Sequence, residues 1–137
     1  MLSKSNRCEN FMIKFGKFPN LPFDANINDA IQIMNNHKLG SVCIVDKNQK
    51  LKGIITDGDL RRILFNQQKP FPALMNDDIF LYCSKKPQTI DFKSNILKGL
   101  RIMNKKRIWD LPVVNKNKKL LGILHLHFVI KNLKIFK

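Results

Sequence analysis

Leu39-Gly40-Ser41-Val42-Cys43-Ile44-Val45-Asp46-Lys47-Asn48-Gln49-Lys50-Leu51-Lys52-Gly53-Ile54 aligns without a gap on Ile108-Trp109-Asp110-Leu111-Pro112-Val113-Val114-Asn115-Lys116-Asn117-Lys118-Lys119-Leu120-Leu121-Gly122-Ile123, at an offset of 69 residues. The register holds upstream: Ile27 falls on Ile96, Ile33 on Ile102, Met34 on Met103 and Asn35 on Asn104. Two copies of one unit stack because neither covers its own apolar face alone. Within the quoted stretch, Ser41 to Val45 is a buried strand, Asp46-Lys47-Asn48-Gln49 a turn and Leu51 to Thr56 a second strand. Leu111 to Val114 and Leu120 to Leu124 repeat that hairpin. Upstream, Ile27, Ala30, Ile31 and Met34 stand at helical spacing, which predicts an amphipathic helix over 26–38 capped by Asn26 or Asn28. Ile96, Leu97, Leu100 and Met103 predict its counterpart, capped by Asp91 or Ser94. Pro19 and Pro22 hold Phe18–Pro22 extended, and Pro87 with Thr89-Ile90 does the same before the second helix. A short helix follows each hairpin, the first capped by Asp57 and running through Leu60, Ile63 and Leu64, the second from about His127 to Leu133.

The 137 residues are 44% hydrophobic, enough for one core or two small repeats. No apolar run approaches the roughly 18 residues that span a bilayer, and Met1-Leu2-Ser3-Lys4-Ser5 lacks a signal-peptide stretch. The reading is a cytoplasmic protein with no membrane partner. Cys8, Cys43 and Cys83 are odd in number and widely spaced, so neither a disulfide framework nor a zinc knuckle is indicated; Cys43 reads as a buried thiol. The net charge of +15 comes from 20 Lys and 5 Arg against 10 acidic residues. Lys, Asn and Ile are residues that an AT-biased genome favours. Aromatic side chains do not alternate with the basic ones as a stacking platform requires, so nucleic acid is not the expected partner.

In order, the chain reads as a linker or remnant of an upstream domain (1–11), a first repeat (12–68), a connector (69–80) and a second repeat (81–137). Gly53-Ile54-Ile55-Thr56-Asp57-Gly58-Asp59-Leu60-Arg61-Arg62, and Cys83-Ser84-Lys85-Lys86-Pro87-Gln88-Thr89-Ile90 ahead of the second helix, resemble the cystathionine-β-synthase-type (CBS) domain over nearly the whole chain. In that family Met usually stands where Cys83 stands here. The resemblance implies a mixed α/β (α+β) fold: a tandem CBS pair of pseudo-symmetric helix-strand-strand-helix repeats forming a Bateman-type module. Thr56-Asp57-Gly58-Asp59-Leu60-Arg61-Arg62 and Gly122-Ile123-Leu124-His125-Leu126-His127 are also similar to the CBS pair that follows the sugar-isomerase domain of D-arabinose-5-phosphate isomerases. Those enzymes feed the Kdo branch of lipopolysaccharide or capsule synthesis. CBS pairs attached to sugar nucleotidyltransferases carry a similar Asp-Gly-Asp stretch.

A strand ends and a helix begins at Thr56-Asp57-Gly58-Asp59, and free N–H groups at a helix start attract phosphate. Thr56 can donate its hydroxyl to phosphate, Asp59 can accept both ribose hydroxyls, and Gly58 lets a ligand approach the backbone. Arg61 and Arg62 add phosphate contacts. The Thr-x-x-Asp arrangement resembles the nucleotide-binding signature of CBS pairs, which implies an adenine or cytidine nucleotide, or a sugar nucleotide, as regulatory ligand. At the 69-residue offset His125 replaces Thr56 and Phe128 replaces Asp59. Phe128 cannot accept ribose hydroxyls, so the pair is read as having one site, with His125 lining the cleft from the pseudo-symmetric side. His125 and His127 lack an acidic or Cys partner in the sequence pattern, so no metal is expected, and Trp109 is expected at the repeat interface. No acid–base–phosphate constellation for an isomerase is present, so no catalytic residue is assigned; such a domain would lie upstream. The expected assembly is a homodimer formed through helices carrying Ile31, Met34, Leu97 and Leu100. The alternative is a ligand-free dimerisation module.

Overall fold

The computed structural model describes residues 6–133. They form two compact units, one spanning Phe18–Pro87 and the other joining residues up to Lys17 with those from Gln88 on.

In the Phe18–Pro87 unit, β2 (Asn20–Pro22) runs parallel to β3 (Ser41–Val45), and β3 is antiparallel to β4 (Leu51–Thr56). Helix α1 (Ile27–His37) starts at Asn26, whose side chain accepts the Asp29 N–H while Asp29 accepts the Asn26 N–H. This reciprocal box satisfies two donors that a helix start leaves orphaned. After β4 come α2 (Asp57–Asn66) and α3 (Phe71–Met75). Ile44, Ile55, Ala30, Val42 and Ile27 are buried in the core. So are Leu74 and Ile79, which the sequence places in the connector. Asp77 ties this stretch down by accepting from Lys69 Nζ at 2.7 Å and the Tyr82 hydroxyl at 2.6 Å.

The other unit repeats the plan with β5 (Ile90–Asp91), α4 (Ile96–Lys106), β6 (Asp110–Val114), β7 (Leu120–His125) and α5 (Leu126–Asn132). Its helix α4 is capped by Asn95, whose side chain accepts the Leu97 N–H at 2.7 Å, rather than by Asp91 or Ser94. Asp91 instead holds the following turn, accepting the Lys93 N–H. Both hairpins shift register at the same place, between Ile44 and Val45 and between Val113 and Val114.

Each sheet is extended by a segment from a distant part of the sequence. Ser84 exchanges two backbone hydrogen bonds with Ile54, beside β4. The short β1 (Ile13–Lys14) pairs antiparallel with Ile123 and Gly122 of β7. Glycine at 53 and 122 is what admits these crossings. A Cβ on Gly53 would lie 2.8 Å from Cys83 Sγ and 2.9 Å from the Ser84 carbonyl oxygen, and one on Gly122 would lie 2.7 Å from the Ile13 carbonyl oxygen. Residues 6–11, read from the sequence as a linker or the remnant of an upstream domain, pack against this unit. Cys8 is fully buried among Ile90, Leu111, Val113 and Leu124, and its N–H donates to the Ser94 carbonyl. Positions 1–5 of the expected linker and 134–137 of the expected second repeat lie outside the described residues.

The three cysteines are buried and no disulfide joins them, Cys43 being a buried thiol as expected. Burial pushes the Cys8 thiol up to about 11 and raises Cys83 too, which removes the reactive thiolate at neutral pH. The native protein should react slowly with a thiol-specific chromogenic reagent at pH 8, and all three thiols should react at once in denaturant. Reaction of native protein at the denatured rate would contradict this packing.

Candidate functional site

The junction between β4 and α2 is built on Thr56 and Asp59. Thr56 has extended backbone angles and is the N-cap. Its hydroxyl oxygen accepts the Asp59 N–H at 3.1 Å, and Asp59 Oδ2 accepts the Thr56 N–H at 2.9 Å. The sequence reading put the cap one residue later, on Asp57. Asp57 is already the first helical residue, and its N–H is committed to the Gly40 carbonyl at 2.9 Å. Its carboxylate presses on Gly40, where a Cβ would lie 2.7 Å from Oδ2.

The second carboxylate oxygen of Asp59 accepts from Arg62 Nη2 at 2.6 Å. Arg61 is exposed. At Gly58 the nearest protein atoms to an added Cβ are 3.6 Å away, so protein packing alone does not demand glycine there. The sequence reading missed Ser41, the cross-strand partner of Thr56. Ser41 is 2% exposed, and its hydroxyl is the buried side-chain polar atom without a hydrogen-bond partner among the described residues. Leaving such a group unpaired costs on the order of 1–3 kcal/mol. Cross-strand partners project on the same face, so the Ser41 and Thr56 hydroxyls share one face of the sheet end. The signal was available: Ser41 is a polar residue opening an otherwise apolar strand.

The corresponding junction in the other unit is built differently. His125 is the N-cap of α5 but makes no side-chain cap bond. Its Nδ1 instead meets Asp110 Oδ1 at 2.8 Å, across the β6–β7 pair. Asp110 occupies the place of Ser41 at the 69-residue offset, and this partner of His125 was not foreseen. Phe128 stands where Asp59 stands in the first copy, so no carboxylate reaches back to the cap. His127 is exposed. Trp109, expected at the repeat interface, is 67% exposed. Among the described residues no group of three or more His, Cys, Asp or Glu side chains is placed to hold a metal ion. An open depression of about 340 Å³, lined by Asn20, Phe23, Asp24, Asp46 and Lys47 among others, contains none of the expected site residues. It includes Val45, at the other end of β3 from Ser41.

The two halves thus share a fold and differ at one junction, a pattern that comparison with known proteins resolves. The CBS domain family model matches twice, over residues 8–66 and 77–132. The chain belongs to the CBS domain family. Both copies of the CBS domain are present in tandem, and the first match begins at the buried N-terminal segment rather than after it. An arabinose 5-phosphate isomerase, KdsD of Francisella tularensis, is 33% identical over 129 residues, 91% of this chain and 37% of that protein. The chain spans about a third of the length of the curated relatives it matches. Among solved structures, that of CBSX2 in complex with AMP superposes with a TM-score of 0.81 at 23% identity, covering 93% of this chain and 95% of that one. The CBS pair of protein MJ0100, in complex with 5′-methylthioadenosine and S-adenosyl-L-methionine, gives 0.76 at 21%, covering 93% and 94%. These likenesses establish the tandem CBS fold.

Proposed function

We propose that this CBS pair is a regulatory module of an arabinose-5-phosphate isomerase, in the Kdo branch of lipopolysaccharide synthesis, and acts in the cytoplasm. Its ligand is an adenine or cytidine nucleotide, or a sugar nucleotide carrying one, bound at the Thr56–Asp59 junction. The observation that carries this reading is the reciprocal Thr56–Asp59 box standing beside a buried, unpartnered Ser41 hydroxyl. Thr56 oxygen accepts within the box, which leaves its proton free to donate to phosphate. Asp59 has about four acceptor sites and spends two, which leaves capacity for ribose hydroxyls. Arg61 and Arg62 supply charge for phosphate, and Gly58 leaves room for it. Adenine-nucleoside ligands in two structures of the same fold support the ligand class, and the similarity to KdsD supports the isomerase context. The second copy has Phe128 in place of the carboxylate, so one site per chain is proposed.

The test is calorimetric titration of adenine and cytidine nucleotides into wild type, Asp59→Ala, Asp59→Asn and Phe128→Ala. A charge-assisted bond contributes roughly 1.5–3 kcal/mol, so Asp59→Ala should weaken binding by on the order of tenfold or more. Asp59→Asn keeps an acceptor for the Thr56 N–H and should lose most of that affinity with less loss of stability. Phe128→Ala should leave affinity unchanged. If wild type binds no nucleotide below about millimolar, the module is a ligand-free dimerisation unit.

Association as an isologous homodimer completes the proposal. Of the residues expected to form the contact, Met34 is in the core, whereas Ile31 and Leu97 are exposed. Phe65 and Phe71 are more exposed still, at 89% and 61%, and are the better candidates. Sedimentation at tens of micromolar should show a dimer; a monomer there would remove this part of the reading.

A further inference from the structure

The two repeats serve as controls for each other, and they differ sharply in charge. Among the described residues, the unit containing α4 carries thirteen Lys and Arg against three Asp and Glu, and the other unit nine against seven. The three carboxylates of the basic unit are engaged locally: Glu9 with Arg7, Asp91 with the Lys93 N–H, Asp110 with His125.

The difference is concentrated on one helix face. At the 69-residue offset α1 and α4 bury equivalent residues: Ile27 and Ile96, Ala30 and Gly99, Met34 and Met103. Their outer faces diverge. Asp29, Gln32 and Asn36 of α1 become Lys98, Arg101 and Lys105 of α4, all exposed. These three stand at i, i+3 and i+7, one stripe along the helix, and none forms an ion pair among the described residues. Lys106 and Arg107 continue the charge at the helix end. Genome composition acts on both repeats alike, and Asn codons are as AT-rich as Lys codons. Composition therefore does not explain a lysine at 105 opposite an asparagine at 36. Exposed apolar residues bracket the stripe. Leu97 at its start is 53% exposed, where α1 has Asn28, and Trp109 just beyond its end stands where the first repeat has Gly40.

We propose that the outer face of α4 docks on an anionic membrane leaflet. Lysine-rich charge without a carboxylate counterpart is attracted to acidic headgroups. Trp109, with an apolar body and a polar N–H, suits the headgroup boundary. A nucleic-acid occupant is less well served, since a single aromatic is no stacking platform and lysines offer point charges rather than bidentate forks. The expectation of no membrane partner rested on the lack of a spanning run. Among the described residues no helix is long and apolar enough to cross a membrane, which does not bear on attachment by surface charge.

The experiment is co-sedimentation of the full chain with phosphatidylglycerol-containing or pure phosphatidylcholine vesicles at about 0.1 M salt, near a 10 Å screening length. Trp109, the single tryptophan, reports contact by its emission. Binding to the anionic vesicles only, with a blue shift of that emission and loss at high salt, is expected. The variant Lys98→Asp, Arg101→Gln, Lys105→Asn gives α4 the outer face of α1. It loses four units of positive charge and should bind roughly 600-fold more weakly, at about fivefold per unit. Removing charge elsewhere, by Lys47→Asn with Lys50→Asn, should have little effect. If the triple variant fails to fold, Lys105→Asn alone should still show about a fivefold loss. Wild type that ignores anionic vesicles, a folded stripe variant that binds as wild type does, or duplex DNA that displaces the protein from vesicles would each overturn the proposal.

Discussion

Gly122→Val should lower the melting temperature by more than about 10 °C. Gly122 lies in β7 with β1 laid across it, and an added Cβ would sit 2.7 Å from the Ile13 carbonyl oxygen. That oxygen is backbone, so no rotamer change relieves the clash. The β1 segment must lift, and with it goes the anchorage of Cys8 and Met12 against the core of that unit. Overpacking costs about 1–3 kcal/mol, occasionally more, and the loss of β1 pairing adds to it. Gly53→Val should behave alike, since its Cβ meets the Ser84 carbonyl at 2.9 Å. Thermal melts followed by circular dichroism decide it, and an unchanged midpoint for either variant would show that the crossing segment does not lie where the structure puts it.

Leu111→Ala should cost about 2–5 kcal/mol by transfer and cavity terms together. Leu111 is fully buried on β6, in the cluster that includes Met103, Leu124 and Val129. Against a total stability of about 5–15 kcal/mol for a typical domain, the loss is large enough to shift a urea midpoint well clear of error. A change below about 1 kcal/mol would mean that this cluster is not the core of its unit.

The hairpins and long helices were legible because their signals are local. Ser41–Val45 and Leu51–Thr56 appear as read, and α1 and α4 follow the apolar spacing of Ile27/Ala30/Met34 and Ile96/Met103. The crossing segments were not legible. A two-residue strand such as Ile13–Lys14 has no period, and its partner lies more than a hundred residues away. Leu74 and Ile79 were read as connector because prolines nearby mark irregular backbone, yet irregular backbone packs a core as well as regular backbone does. At the site, Thr56 and Asp57 were both acceptable caps by residue type. Only the Gly40 carbonyl, brought in by the sheet, assigns the Asp57 N–H and leaves capping to Thr56. Ser41 and Asp110 were missed because their importance comes from cross-strand pairing with Thr56 and His125.

The central claim is that a nucleotide binds at the Thr56–Asp59 junction, and amide NMR of the labelled full chain with increasing AMP or CMP tests it most directly. The account predicts saturable shifts of the Gly40, Ser41 and Thr56–Asp59 amides at sub-millimolar nucleotide. Absence of shifts at millimolar nucleotide, or shifts confined to the Phe23–Asp24 and Asp46–Lys47 depression, would contradict it.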